Sequence, residues 1–147
     1  MDQLVVQFKY FYQDLVNFPV HDFDRIYADN VVFRDPIVKV KGAAELLSYV
    51  EPVCEQVSYG RFEYLDQIVD GNKAYIKWNA NFRHRKFGDR TISLHGMSHI
   101  QFDEKIYFHE NVYDPGVLIY EQFPLAGTVG RWLKRRLLPV KDSWGYR

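Results

Sequence analysis

Asp35 and His109 are the residues in this chain best suited to proton transfer. Asp35 closes the run NVVFRDP, directly before Pro36. A carboxylate there is either a general base or a turn residue that caps the backbone ahead of the proline. His109 lies in IYFHENVYD, a run that is mostly apolar and aromatic. An imidazole in that setting must find a partner. It is either a proton-transfer partner for Asp35 or a core histidine bonded to a backbone carbonyl or to Tyr113.

The other candidates read as structural. His95 and His99 are four apart, which on a strand separates them by roughly 13 Å, too far for one metal ion. They are expected to face solvent or an interface. Arg83, His84, Arg85 and Lys86 form a basic cluster where a strand ends, the pattern of a solvated loop. Cys54 is the single cysteine, so neither an internal disulfide nor a cysteine-pair zinc site is available. No basic neighbour lowers its pKa, and a buried structural thiol is expected. The chain holds no P-loop, dinucleotide fingerprint, HExxH or nucleophile elbow. No metal and no cofactor is expected.

The elements that must position these residues follow from hydrophobic periodicity. Leu4, Phe8, Phe11 and Leu15 recur at helical spacing, with Val5 and Tyr12 beside them, and Asn17 and Pro19 end that helix. A short second helix is expected from Asp22, carrying Phe23, Ile26 and Tyr27. NVVFRDP reads as a strand, and AAELLSYV after Gly42 as a third helix that Pro52 kinks or ends. From Arg61 the period changes to two. RFEYLDQIV, the turn DGN and KAYIKWNANFRHR form one hairpin; TISLHGMSHIQF, DEK and IYFHENVYD form a second. Helices followed by four long antiparallel strands predict an α+β domain, with a cone-shaped curved antiparallel sheet wrapped around the N-terminal helices.

Composition agrees with one well-packed domain. At 147 residues, 47% apolar and 26% charged, the chain is neither disordered nor large enough for two ordinary domains. Equal counts of basic and acidic residues, 19 each, argue against a nucleic-acid partner. The neutral total conceals an asymmetry: from Arg131 to Arg147 there are six basic residues and one acidic. This basic amphipathic tail, placed at 126–147 behind a domain of 1–125, either packs its apolar side on the domain or a second subunit or makes weak contact with an anionic membrane surface. No leader pattern or apolar span appears in the sequence, and a cytoplasmic location is expected.

The order helix–helix–YADNVVFRDP–helix–two hairpins, together with GMSHIQFDEKI, resembles the SnoaL-like branch of the nuclear-transport-factor-2-like superfamily over roughly residues 4–120. The closing YDPGVLIYEQFPLAG resembles a bacterial subgroup of that branch. The resemblance implies a cystatin-like roll with a small-molecule pocket inside the cone. Matched to the ketosteroid isomerases of the superfamily, the general base falls on Asp35, the oxyanion-hole tyrosine on Phe11, and the protonated aspartate on Ser98. A phenyl ring cannot donate a hydrogen bond and a serine hydroxyl donates less strongly than a carboxylic acid, so isomerisation by that route is not expected.

If Ser98 faces inward as this match implies, alternation turns Gly96, Ile100 and Phe102 inward and His95, Met97, His99 and Gln101 outward. The same match turns His109, Asn111 and Tyr113 inward. The implied pocket is Phe11, Tyr12, Trp78, Ser98, Ile100, Phe102, Asn111 and Tyr113 around a catalytic pair, Asp35 and His109. Two functions stay open. One is a cofactor-free isomerase, cyclase, dehydratase or hydrolase. The other is a non-catalytic module whose pocket holds a small apolar or amphipathic molecule or is filled by its own side chains. A homodimer through the outward sheet face, which carries Tyr75, His95, Met97 and His99, is expected.

Overall fold

Helix α1 spans Gln3–Tyr12 in the computed structural model, capped by Asp2, whose side chain accepts from the Leu4 N–H at 2.8 Å. Leu4, Val5, Phe8 and Phe11 form its buried stripe. The structure describes residues 2–88 and 90–118. The chain divides into two units, Met1–Pro115 and Gly116–Arg147, and the fold below is that of the first. The basic segment expected at 126–147, and the boundary at 125, lie outside the described residues.

After a 3-10 turn at Val20–Asp22 come α2 (Phe23–Ile26), β1 (Tyr27–Arg34), β2 (Lys39–Lys41) and α3 (Ala43–Glu55). Two long hairpins follow, β3 (Val57–Asp70) with β4 (Lys73–His84), and β5 (Ile92–Phe102) with β6 (Ile106–Tyr113). Gly42 caps α3 with φ of 103°, a left-handed conformation that the absent Cβ makes affordable; a Cβ there would also meet the Glu45 carboxylate.

One local expectation is corrected. Tyr27 begins β1 instead of ending α2. Helix α3 runs through Pro52 to Glu55, so of the two alternatives the proline does not end it. A short strand, β2, folds back on β1 across the Asp35 turn.

The six strands form one curved, open sheet in the order β2-β1-β6-β5-β4-β3. Every pairing is antiparallel except β1 with β6, which is parallel, so the sheet is mixed. That one parallel pair joins the N-terminal strand to the C-terminal strand and places Phe33 beside His109. The inner face of the sheet carries Ala74, Ile76, Ile100, Phe102 and Ile106, which form one core cluster with residues of α1 and α2, and Trp78 and Ile92 are buried as well. The outer face leaves Tyr75, Met97 and Val112 exposed.

Candidate functional site

Among the described residues, Ser98 and His109 are the two buried polar side chains of the core. Both are placed by strand register. On β6 a bulge at Tyr107 shifts the pairing between Phe102–Ile106 and Gln101–Phe108, so that Ile106 and His109, three apart, are both buried. His109 then lies among four aromatic rings: Phe8 and Phe33 each 5.0 Å from its centroid, Tyr12 at 5.9 Å and Tyr27 at 6.0 Å. Burial among these rings pushes the imidazole pKa down to about 4, against a smaller upward pull from its bond to Asn111. The ring is neutral at pH 7.

The proton positions around it can be read from one end. The Trp78 indole can only donate, and its Nε1–H meets Ser98 Oγ at 2.9 Å. The Ser98 hydroxyl therefore passes its own proton on, to Asn111 Oδ1 at 2.6 Å. That oxygen also accepts from His109 Nε2 at 2.8 Å, which makes Nδ1 the acceptor for the Tyr27 hydroxyl, again at 2.8 Å. Tyr27, having given its proton to His109, accepts from Tyr12. The Trp78 ring owes its place to Gly96, the residue opposite it on β5. A Cβ at Gly96 would come within 2.4 Å of the ring.

Asp35 belongs to a different cluster. Its Oδ1 accepts from the Ile37 and Val38 N–H groups, both at 2.8 Å, in a turn that joins β1 to β2. Its Oδ2 accepts from the Tyr49 hydroxyl of α3 at 3.2 Å, and Tyr113 of β6 interacts with the same carboxylate. Burial, with the Asp35 charge beside it, pushes Tyr49 up to about 12.

Asp35 and His109 share no direct hydrogen bond. Both histidine nitrogens are taken by Tyr27 and Asn111, and the Phe33 ring packs against both His109 and Tyr49. The chemistry available at His109 is hydrogen bonding by a neutral ring. At Asp35 it is a carboxylate held by backbone and phenol donors.

A cavity of about 20 Å³ lies where α1 meets the sheet, lined by Phe8, Tyr12, Phe62, Tyr64, Ser98, His109 and Asn111. Of the expected pocket residues, Tyr12, Ser98, His109 and Asn111 line it. Phe11, Trp78, Ile100 and Phe102 are buried without lining it, and Tyr113 stands with Asp35. Tyr27, Tyr49, Phe62 and Tyr64 are the additions. Extending the alternation of β1 back from Phe33 and Val31 reaches Tyr27, and that of β3 places Phe62 and Tyr64 on one face. For Tyr49 no sequence signal exists. His95 and His99 stand on the outer face, His99 stacked on Tyr75 at 4.3 Å. Burial pushes the Cys54 thiol up to about 11. Among the described residues, no three metal-ligating side chains gather.

The family model for SnoaL-like domains matches residues 8–109. The chain belongs to the SnoaL-like domain family. No curated protein matches it in sequence. Solved structures share the fold at low identity. A candidate SnoaL-like polyketide cyclase from Shewanella putrefaciens is 15% identical, with a TM-score of 0.70 over 81% of this chain and 93% of that one. An LEH-like epoxide hydrolase from M. tuberculosis is 12% identical, with a TM-score of 0.67 over 82% of each chain. A Catenulispora acidiphila protein with a ketosteroid isomerase-like fold, in complex with trimethylamine, is 7% identical, with a TM-score of 0.70 over 83% of this chain and 93% of that one. These likenesses concern the fold, and one fold can host unrelated chemistries.

Proposed function

We propose that this SnoaL-like domain is a binding module that holds one small, largely apolar organic molecule inside its cone, without Asp35–His109 proton transfer. The observation that carries this reading is the state of His109: neutral, and bonded at both ring nitrogens. A general base needs a free acceptor lone pair near the proton it removes. The cavity beside it has the apolar walls and few polar groups of a ligand site, and at about 20 Å³ it takes in one atom of a ligand. Native mass spectrometry of the protein as purified from cells tests the reading. One organic molecule per chain, released on denaturation, is expected. Uniformly ligand-free protein that also gains no ligand from a small-molecule extract of the cells would overturn it.

A second reading rests on Asp35, whose carboxylate is held between Tyr49 and Tyr113. A half-buried carboxylate beside phenols can abstract a proton next to a carbonyl while a phenol steadies the enolate, the first step of an isomerase, cyclase or dehydratase. Hydrogen–deuterium exchange of cyclopentanone in D₂O tests it. Acceleration by the native protein that Asp35→Asn abolishes and His109→Gln retains would establish it. Exchange at the buffer rate would exclude it for this probe.

A further inference from the structure

Tyr10 stands on the outer side of α1, away from the buried stripe of Phe8 and Phe11, and 76% of its surface is exposed. One exposed ring is ordinary by itself. This one, together with Pro19, walls a cavity of about 260 Å³ on the outside of the fold, and the other lining residues are all polar: Gln13, Asp14, Asn17 and Arg61. The cavity shares no residue with the small one beside His109.

The polar side of the cavity is built around Asp14. Its Oδ1 accepts from the Val16 N–H at 3.1 Å and the Asn17 N–H at 3.4 Å. Its Oδ2 accepts from Asn17 Nδ2 at 2.9 Å and pairs with Arg61 Nη2 at 3.3 Å. These bonds, the one from the Asn17 side chain foremost, hold the carboxyl below its ordinary value. The backbone is pinned to β3 as well, by Leu15 N–H on the Gly60 carbonyl at 3.1 Å and Phe62 N–H on the Gln13 carbonyl at 3.2 Å. Asn17 and Arg61 are therefore set before any ligand arrives, which lowers the ordering cost of binding. They leave hydrogen-bonding capacity of both kinds unused: Asn17 Oδ1 accepts, the remaining Arg61 N–H groups donate, and the Gln13 amide and Tyr10 hydroxyl do both.

Charge narrows the ligand class. Arg61 and Asp14 balance each other within the cavity, so an anion meets the Asp14 carboxylate and a cation meets the Arg61 guanidinium. A neutral molecule remains, with donors and acceptors together on one edge and an apolar face for a ring. Hydroxyl groups meet the first need, because each donates and accepts. The C–H face of a pyranose meets the second, because its weakly positive hydrogens lie against the negative face of an aromatic ring. A volume of about 260 Å³ falls below the roughly 300–1,000 Å³ of sites for drug-sized ligands, which suits a single sugar ring. We propose that this outer cavity binds one neutral pyranose ring, its C–H face on Tyr10 and neighbouring hydroxyls on Asn17 Oδ1 and the Arg61 guanidinium.

The probes are the methyl pyranosides of glucose, galactose and mannose, with mannitol as an open-chain polyol and methyl glucuronide as an anionic ring. They are titrated into the full chain and followed by the ¹⁵N side-chain signals of Asn17 and Arg61. At least one neutral pyranoside is expected to shift both signals saturably, with a Kd of about 1 mM or below. Mannitol and the glucuronide should bind it at least about tenfold more weakly, the first for want of a ring face and the second for its charge beside Asp14. Tyr10→Ala should weaken the pyranoside by about tenfold and leave the thermal midpoint unchanged, since the ring lies outside the core. No saturable shift from any of the three pyranosides overturns the proposal. Mannitol that binds equally well, a glucuronide that binds more tightly, or pyranoside binding indifferent to Tyr10→Ala overturns it too. None of these outcomes bears on the binding reading of the cone, because the two cavities have no residue in common.

Discussion

Acidification should destabilise this protein through His109 before its carboxylates are titrated. In the unfolded chain the imidazole titrates at its ordinary value of 6.5, whereas in the fold burial lowers it to about 4. Between these values the unfolded state binds a proton that the folded state refuses. Stability therefore rises with pH across that window and is fully present above about 6.5. It is lost as pH falls toward 4, and the His109 contribution levels off below that. A separation of roughly 2.5 units at about 1.36 kcal/mol each gives about 3 kcal/mol, a sizeable share of the 5–15 kcal/mol typical of a domain. Near the middle of the window the slope should approach about 1.4 kcal/mol per pH unit, the value for one proton. Urea unfolding followed by tryptophan fluorescence at intervals from pH 7 to pH 4 measures it. Carboxylates contribute to the same curve, so the quantity to read is the difference between the native chain and His109→Gln. The variant should be less stable at pH 7, since Tyr27 and Asn111 lose their partner, but should lack this component of the slope. Parallel curves for the two proteins, or a ¹⁵N spectrum showing His109 titrating near 6.5, would refute the reasoning.

Three other outcomes are expected. Gly96→Ala places a methyl group within 2.4 Å of the Trp78 ring and 2.7 Å of the Val112 carbonyl, and should cost about 1–3 kcal/mol or more in chemical unfolding; wild-type stability would mean that the ring moves freely. Tyr27→Phe removes the hydroxyl that joins Tyr12 to His109, leaving the buried Nδ1 unpaired, and should cost about 1–3 kcal/mol; a change within error in the urea midpoint would count against the relay. The outer sheet face, where Tyr75, Met97 and Val112 are exposed, should pair two chains. Sedimentation velocity at micromolar concentration should then show a species near twice 17.5 kDa, and a monomer would argue against that interface.

Much of the fold is written locally. The period of 3.6 around Leu4, Phe8 and Phe11 and the period of two from Arg61 onward fall on α1 and on the two long hairpins. The DGN turn joins β3 to β4, and the resemblance carried by YADNVVFRDP and GMSHIQFDEKI agrees with the family match over residues 8–109. The family resemblance, extended by the alternation of strand residues, also placed Trp78, Ser98, Ile100 and His109 on the buried face. Local pattern is less informative where tertiary packing overrides it. Tyr27 has helical neighbours but joins β1 because pairing with Ile106 of β6 holds its backbone extended. Pro52 sits inside α3, where the rest of the helix outweighs one lost bond.

The partners of the polar side chains are a matter of tertiary structure. The sequence by itself determined that an aspartate ends one strand, and the resemblance it carries implied that a histidine, an asparagine and a serine share the inner face of the sheet. Whether the aspartate meets the histidine depends on distances across the cone, which no periodicity encodes. Bulges at Tyr107 and Leu65, a single parallel pairing and the ring of Phe33 put His109 with Tyr27 and Asn111, and Asp35 with Tyr49. Hydrogen bonds are lost over displacements of less than an ångström, whereas hydrophobic burial tolerates them. Hydrophobic pattern is therefore enough to specify this fold, while the polar site exists only once the strands are in register.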